Sequence, residues 1–234
     1  MIGSVVRAAA ACTLLMLASA PGIAPAADAT AAGREEGLQR RTLVAGGLER
    51  HYWVRPPGRS VPGAGLVLVL HGSNDDGLGI RESLGRRLEP LAAASGFVVV
   101  YPDGFEKHWN DCRAGGNYAA NRRDVDDPAF LRAIVAAEAA ESGIDPRRVF
   151  AIGMSNDGQM VLRLALEDPA GYAGLAVIAA SLPAPAGRDC RVEPGSVPIV
   201  FFNGTADPVN PFNGGLVRIG NDISRGYVLA SGHM

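Results

Sequence analysis

Apolar residues occur in short unbroken runs, separated by segments with helical spacing. Residues 66–70 (LVLVL), 97–101 (FVVVY), 149–152 (VFAI), 175–179 (LAVIA) and 198–202 (PIVFF) are continuously apolar. Strands buried on both faces have this pattern. Between the first two runs, residues 82–94 put Leu84, Leu88 and Leu91 on one helical face, and Gly96 ends the helix. A second helix is predicted with Asp127 as N-cap and Pro128 at the first helical position; it runs through Phe130, Leu131, Ile134 and Val135 to Gly143. A third, at residues 159–167, follows the 149–152 run. Upstream, residues 42–44 and 51–54 read as a hairpin around Gly46-Gly47, and residues 227–230 as a short last strand. Residues 105–125 hold Trp109, Asn110 and Cys112 without periodicity, and so form a long loop of the kind that often carries function. Alternating strands and helices imply an α/β domain with a mainly parallel sheet and helices on both faces.

The first residues follow another pattern. Arg7 precedes a small, apolar stretch at residues 8–20, and Ala24-Pro25-Ala26 offers a cleavage site. This stretch is too short to span a bilayer and reads as a secretory signal. The expected organisation is a signal at 1–26, a linker at 27–40 and one domain at 41–234 that is secreted and free of the membrane after cleavage. Cleavage removes Cys12 and leaves Cys112 and Cys190, an even pair whose spacing leaves open whether they join. With 22 basic residues against 24 acidic there is no basic surplus, which argues against a nucleic-acid partner. Asp75, Asp76, Asp124, Asp126 and Asp127 read as caps and solvated loop ends. Neither zinc-ligand spacing nor a phosphate-binding glycine loop occurs, so neither a metal nor a cofactor is expected.

Residues 149–160 (VFAIGMSNDGQM) combine a strand, a tight turn carrying Ser155 and a helix. This arrangement presents a serine nucleophile clear of a sheet. A serine hydroxyl needs a base to take its proton and donors to hold the oxyanion. The donors expected here are the backbone N–H of Asn156 and that of Gly72 or Ser73, in the loop after residues 66–70. His71 in that loop reads as a shaping residue. Asp207, soon after the 198–202 run, suits the acid that orients the base, and serine before acid is the α/β-hydrolase order. Of His51, His71, His108 and His233, only His233 follows Asp207. The residues leave two readings of it open: the catalytic base, or part of a solvated terminus.

An ordered set of segments resembles secreted polyhydroxybutyrate depolymerase-like and feruloyl esterase-like α/β-hydrolases. The set comprises residues 67–72 (VLVLHG), 100–104 (VYPDG), Trp109-Asn110, Val125-Asp126-Asp127 with Phe130-Leu131, 144–149 (IDPRRV), Gly153-Met154-Ser155-Asn156 and 203–208 (NGTADP). The resemblance implies a secreted carboxylic-ester hydrolase with Ser155 as nucleophile and Asp207 as acid; a monomer is expected. Its substrates would be polyester oligomers or aromatic acyl and acetyl esters. The chain departs from the family at Asp157, where a glycine is usual, which implies added bulk and a negative charge near the oxyanion. By the same resemblance it stops before the family's last helix, strand and histidine, leaving an exposed sheet edge. The alternative reading is therefore a catalytically impaired homologue that keeps the fold and only binds polyester or polysaccharide.

Overall fold

The computed structural model describes residues 36–55, 62–219 and 223–233. The expected signal at 1–26 and most of the expected linker lie outside them. Strand β1 starts at Gln39, two residues inside the expected linker.

Seven strands form the main sheet: β1 (Gln39–Ala45), β2 (Leu48–Val54), β3 (Ala64–Val69), β4 (Phe97–Pro102), β5 (Ile144–Met154), β6 (Gly174–Ile178) and β7 (Ile199–Phe202). Their spatial order is β1-β2-β4-β3-β5-β6-β7. β1 and β2 form the predicted hairpin, with Gly46 and Gly47 both at positive φ in its turn. β2 pairs antiparallel with β4, and from there to β7 every pairing is parallel. The C-terminal ends of β3 to β7 therefore share one edge of the sheet, where doubly wound folds bind ligands.

Among the described residues five α-helices connect the strands: α1 (Gly77–Ser83), α2 (Leu88–Ser95), α3 (Ala119–Arg122), α4 (Asp127–Glu141) and α5 (Asn156–Glu167). The predicted helix at 82–94 is thus two. A continuous helix would need an N–H at Pro90, which proline lacks, so Pro90 falls in the first turn of α2, where this is tolerated. Gly85 and Arg86 adopt positive φ between the two pieces. Gly96 ends α2 in the left-handed conformation, as predicted. For α4 the cap shifts by one residue. Asp126 caps it through Ala129 N–H, while the Asp127 carboxylate is buried and accepts from Arg50 and from Asn110 N–H. Asp76 caps α1 through Gly79 N–H.

Alternation along β3 divides the core. Leu66, Leu68 and Leu70 pack with Phe130, Ile134, Met160 and Leu162 of α4 and α5. Val69 packs on the other face with Trp53, Ile80, Val99 and Tyr101. This second face is open toward β7, where Val67, Ile152, Ala176 and Val200 line an apolar hollow of about 430 Å³. Among the described residues β7 pairs only with β6, and Val200 and Phe202 are 47% and 58% exposed.

The predicted last strand is β9 (Ile223–Val228), longer than residues 227–230 and outside the main sheet: it pairs antiparallel with β8 (Gly215–Ile219) in a separate ribbon. Cys112 and Cys190 form a disulfide across 78 residues. In the chain-entropy model a loop of this size stabilises the fold by about 4 kcal/mol. Among the described residues no helix is long and apolar enough to cross a membrane.

Candidate active site

The turn after β5 holds Ser155 at φ 66° and ψ −120°. Residues with a Cβ rarely adopt this region, and it costs about 1–3 kcal/mol. Ser155 N–H donates to Ile178 O of β6 (3.0 Å), which fastens the turn to the sheet, while the side chain remains exposed. The tight approach falls on two glycines. A Cβ at Gly153 would stand 2.4 Å from Asp157 O, and one at Gly158 would stand 2.7 Å from Ala180 Cβ. Ser155 thus stands directly before α5, whose first N–H groups have no intrahelical acceptor.

Asn156 directly follows Ser155, and the Gly72 backbone approaches the turn at Met154 O. Among the described residues, no acceptor is recorded for the backbone N–H of Asn156, Gly72 or Ser73. The loop carrying Gly72 and Ser73 is shaped by His71, as predicted. His71 Nε2 accepts from Gly104 N–H (2.8 Å), so the proton sits on Nδ1, which donates to Gly72 O (2.8 Å). Burial lowers the His71 pKa, which keeps the ring neutral in this role. Trp109 joins the loop to α5: its indole N–H donates to His71 O (2.9 Å), and its backbone N–H donates to Asn156 Oδ1 (3.0 Å).

The Asn156 side chain therefore acts as a bracket beneath its own N–H. Its Nδ2 also donates to Asp111, which is fully buried and paired with buried Arg113. Burial works against the charge of Arg113, but the adjacent Asp111 carboxylate outweighs it and raises the guanidinium pKa. Sequence reasoning missed Asp111 and Arg113. The only signal was their place in the aperiodic loop beside Trp109-Asn110.

Asp207 follows β7. Its Oδ1 accepts from Val209 N–H (2.8 Å) and Asn210 N–H (2.9 Å), leaving Oδ2 without a recorded partner among the described residues. Asn203 ties this loop to the C-terminal turn (Ser231–His233), since its Nδ2 donates to Ser231 Oγ (2.9 Å). His233 is the last residue of that turn. The other histidines stand elsewhere: His51 on β2 faces Thr42, and Nδ1 of His108 lies 2.9 Å from Glu106 O.

This strand order with a strained serine turn matches known proteins. A model of the Esterase PHB depolymerase family covers residues 51–185. NocK of Nocardia uniformis subsp. tsuyamanensis, a candidate esterase, is 36% identical over 197 residues, or 81% of this chain and 52% of NocK. The chain belongs to the Esterase PHB depolymerase family. It spans about half the length of that curated relative. A thermostable esterase of known structure has a TM-score of 0.56 at 20% identity, covering 76% of this chain and 49% of its own. A pOPH variant crystallised with DMSO also has a TM-score of 0.56, at 16% identity, covering 85% of this chain and 73% of its own. These likenesses show the α/β-hydrolase fold.

Asp157, at the position where the resemblance implied a glycine, is fully buried between the turn and the loop after β3. Its Oδ2 accepts from Met154 N–H (2.6 Å), and Oδ1 has no partner among the described residues. Because Gly153 and Gly158 carry the close contacts, the side chain fits without displacing α5. Burial pushes its pKa well above the ordinary carboxylate range, and nearby Asp75 adds to the shift. The expected negative charge is thus opposed by the site itself. A folded-state pKa raised above the unfolded value means that stability falls as pH climbs through that interval. Asp157→Asn is expected to match the parent below about pH 4, the ordinary aspartate range, and to gain on it progressively as pH rises. Melting temperatures of both proteins across pH check this, and parallel curves would overturn it.

Among the described residues the one group with metal-like proximity is Cys112, Glu167 and Cys190, whose cysteines form the disulfide.

Proposed function

We propose that this chain is a serine hydrolase that cleaves carboxylic esters through an acyl-enzyme on Ser155. The observation that carries the reading is the Ser155 backbone at φ 66°, directly before α5, with the N–H groups of Asn156, Gly72 and Ser73 unengaged around it. In this mechanism Ser155 Oγ attacks the ester carbonyl carbon as His233 takes its proton. Those N–H groups hold the oxyanion, and Asp207 orients and stabilises the charged imidazole. Collapse of the tetrahedral intermediate releases the alcohol with the proton returned by His233. Water then repeats the attack, freeing the acid and Ser155. Polyester oligomers or feruloyl and acetyl esters are the substrate classes that the family suggests. The disulfide supports export through residues 1–26, because such bonds persist in oxidising compartments.

A second reading keeps the fold and the binding but not the catalysis. It is favoured by the engagement of His51, His71 and His108 away from Asp207, which leaves the base to His233 alone. A fluorophosphonate probe separates the two. Stoichiometric labelling at Ser155, lost in Ser155→Ala, is expected. Absence of labelling in folded protein would favour the silent homologue.

A further inference from the structure

Beside Ser73 lies a cleft of about 480 Å³ whose lining includes His108, Tyr118, Arg122 and Arg225. One of its walls is a stacked column. The His108 ring lies 4.2 Å from that of Tyr118, and the Arg225 guanidinium carbon sits 4.1 Å from the Tyr118 ring centre. The Tyr118 hydroxyl accepts from Ser73 Oγ (3.1 Å), which joins this wall to the loop that holds the expected oxyanion donors.

Arg225 is only 9% exposed, yet among the described residues its guanidinium has no hydrogen bond or ion pair, and its buried Nε is unsatisfied. Buried charges are normally paired, because an uncompensated one costs several kcal/mol. Glu106 also lines the cleft but makes no ion pair with Arg225. Arg122 is held by Asn117, whose backbone and side-chain oxygens accept from it, and it has no ion pair among the described residues. Two guanidinium groups thus face one carboxylate, so the cleft carries a positive surplus. The Arg225 guanidinium rests against the Tyr118 ring and, among the described residues, its N–H groups have no acceptor, which suits a planar carboxylate.

We infer that this cleft is a subsite for a carboxylate carried by the substrate, so that the preferred ester is a monoanion such as a hydroxy-acid oligomer with its acid end free. The inference rests on the esterase reading above. Binding of a free-acid end would select chain termini over internal bonds of a polyester.

The test compares a linear 3-hydroxybutyrate dimer as free acid with its methyl ester, in two readouts. In turnover, the free acid is expected to have at least tenfold higher kcat/KM, and Arg225→Gln is expected to reduce that ratio to near one through KM. In calorimetric binding to Ser155→Ala, which needs no catalysis, the free acid is expected to bind at least tenfold more tightly, again dependent on Arg225. Using the ratio cancels any general loss of activity in the variant. If Arg225→Gln does not fold, Arg225→Lys and Arg122→Gln replace it, each expected to lower the ratio in part. If neither ester is turned over but the free acid binds preferentially, the esterase reading fails and the subsite stands. Equal binding of both forms to Ser155→Ala overturns the subsite, as does a ratio that survives Arg225→Gln in folded protein.

Discussion

Ser155→Ala is expected to lower kcat on p-nitrophenyl butyrate by at least ~10⁴-fold while leaving the melting temperature unchanged. Both halves follow from the turn. The strain at φ 66° belongs to any residue with a Cβ, so alanine tolerates this backbone as well as serine does. The serine side chain caps nothing: it makes no hydrogen bond to the first N–H groups of α5. Its removal therefore costs the fold little, and what disappears is the atom that bonds to the acyl group. The oxyanion donors are backbone groups and survive the substitution, so slow residual hydrolysis above the water rate is expected. Turnover equal to that of the parent would sink the acyl-enzyme mechanism at this residue. A fall in activity accompanied by a large loss of melting temperature would point to a structural role instead.

The second large effect concerns a residue with no part in bond making. Asp111→Ala is expected to destabilise the protein by about 3–5 kcal/mol, because it strands a buried guanidinium. Arg113 is 5% exposed and its recorded ion pair is with Asp111, so it has no ready route to solvent. The same substitution removes the acceptor for Asn156 Nδ2. Asn156 would keep only its bonds to Trp109, and the N–H beside Ser155 would lose part of its support. Activity is thus expected to fall further than the folded fraction alone predicts. Denaturant titration gives the stability and kcat at saturating folded protein gives the rest. A loss below about 1 kcal/mol would show that Arg113 finds another partner. Replacing both residues by apolar side chains of similar volume is expected to recover most of the stability, because the pair repays little more than its desolvation.

Local pattern made much of this legible. Continuous apolar runs marked the buried strands, because a strand covered on both faces has no polar alternation to show. Gly46-Gly47 and Gly96 marked the positive-φ positions that end elements, while the spacing of Cys112 and Cys190 left their joining open. Where two local signals competed, the reading slipped. The leucine spacing at 82–94 hid the break imposed by Pro90, and of two adjacent aspartates the pattern chose Asp127 as cap. Asp126 holds that place because Arg50 and Asn110, distant in sequence, draw Asp127 into the interior.

The chemistry divides in the same way. A strand, a Gly-Met-Ser-Asn turn and a helix are contiguous, so the sequence by itself determined the candidate nucleophile, the N–H that follows it and the sheet edge they occupy. Asp207 and the loop at Gly72 and Ser73 could be placed from strand order alone. Only the tertiary structure decided what Asp157, Asp111 and Arg225 are for, since each is defined by burial or by partners that no spacing encodes. Asp157 is an acid held away from water beneath the turn, Asp111 is the counter-charge that anchors Asn156, and Arg225 is a buried cation on Tyr118 with no ion pair among the described residues. The physical reason is that desolvation and pairing depend on everything that surrounds a charge, and that surrounding is assembled from segments far apart in the chain.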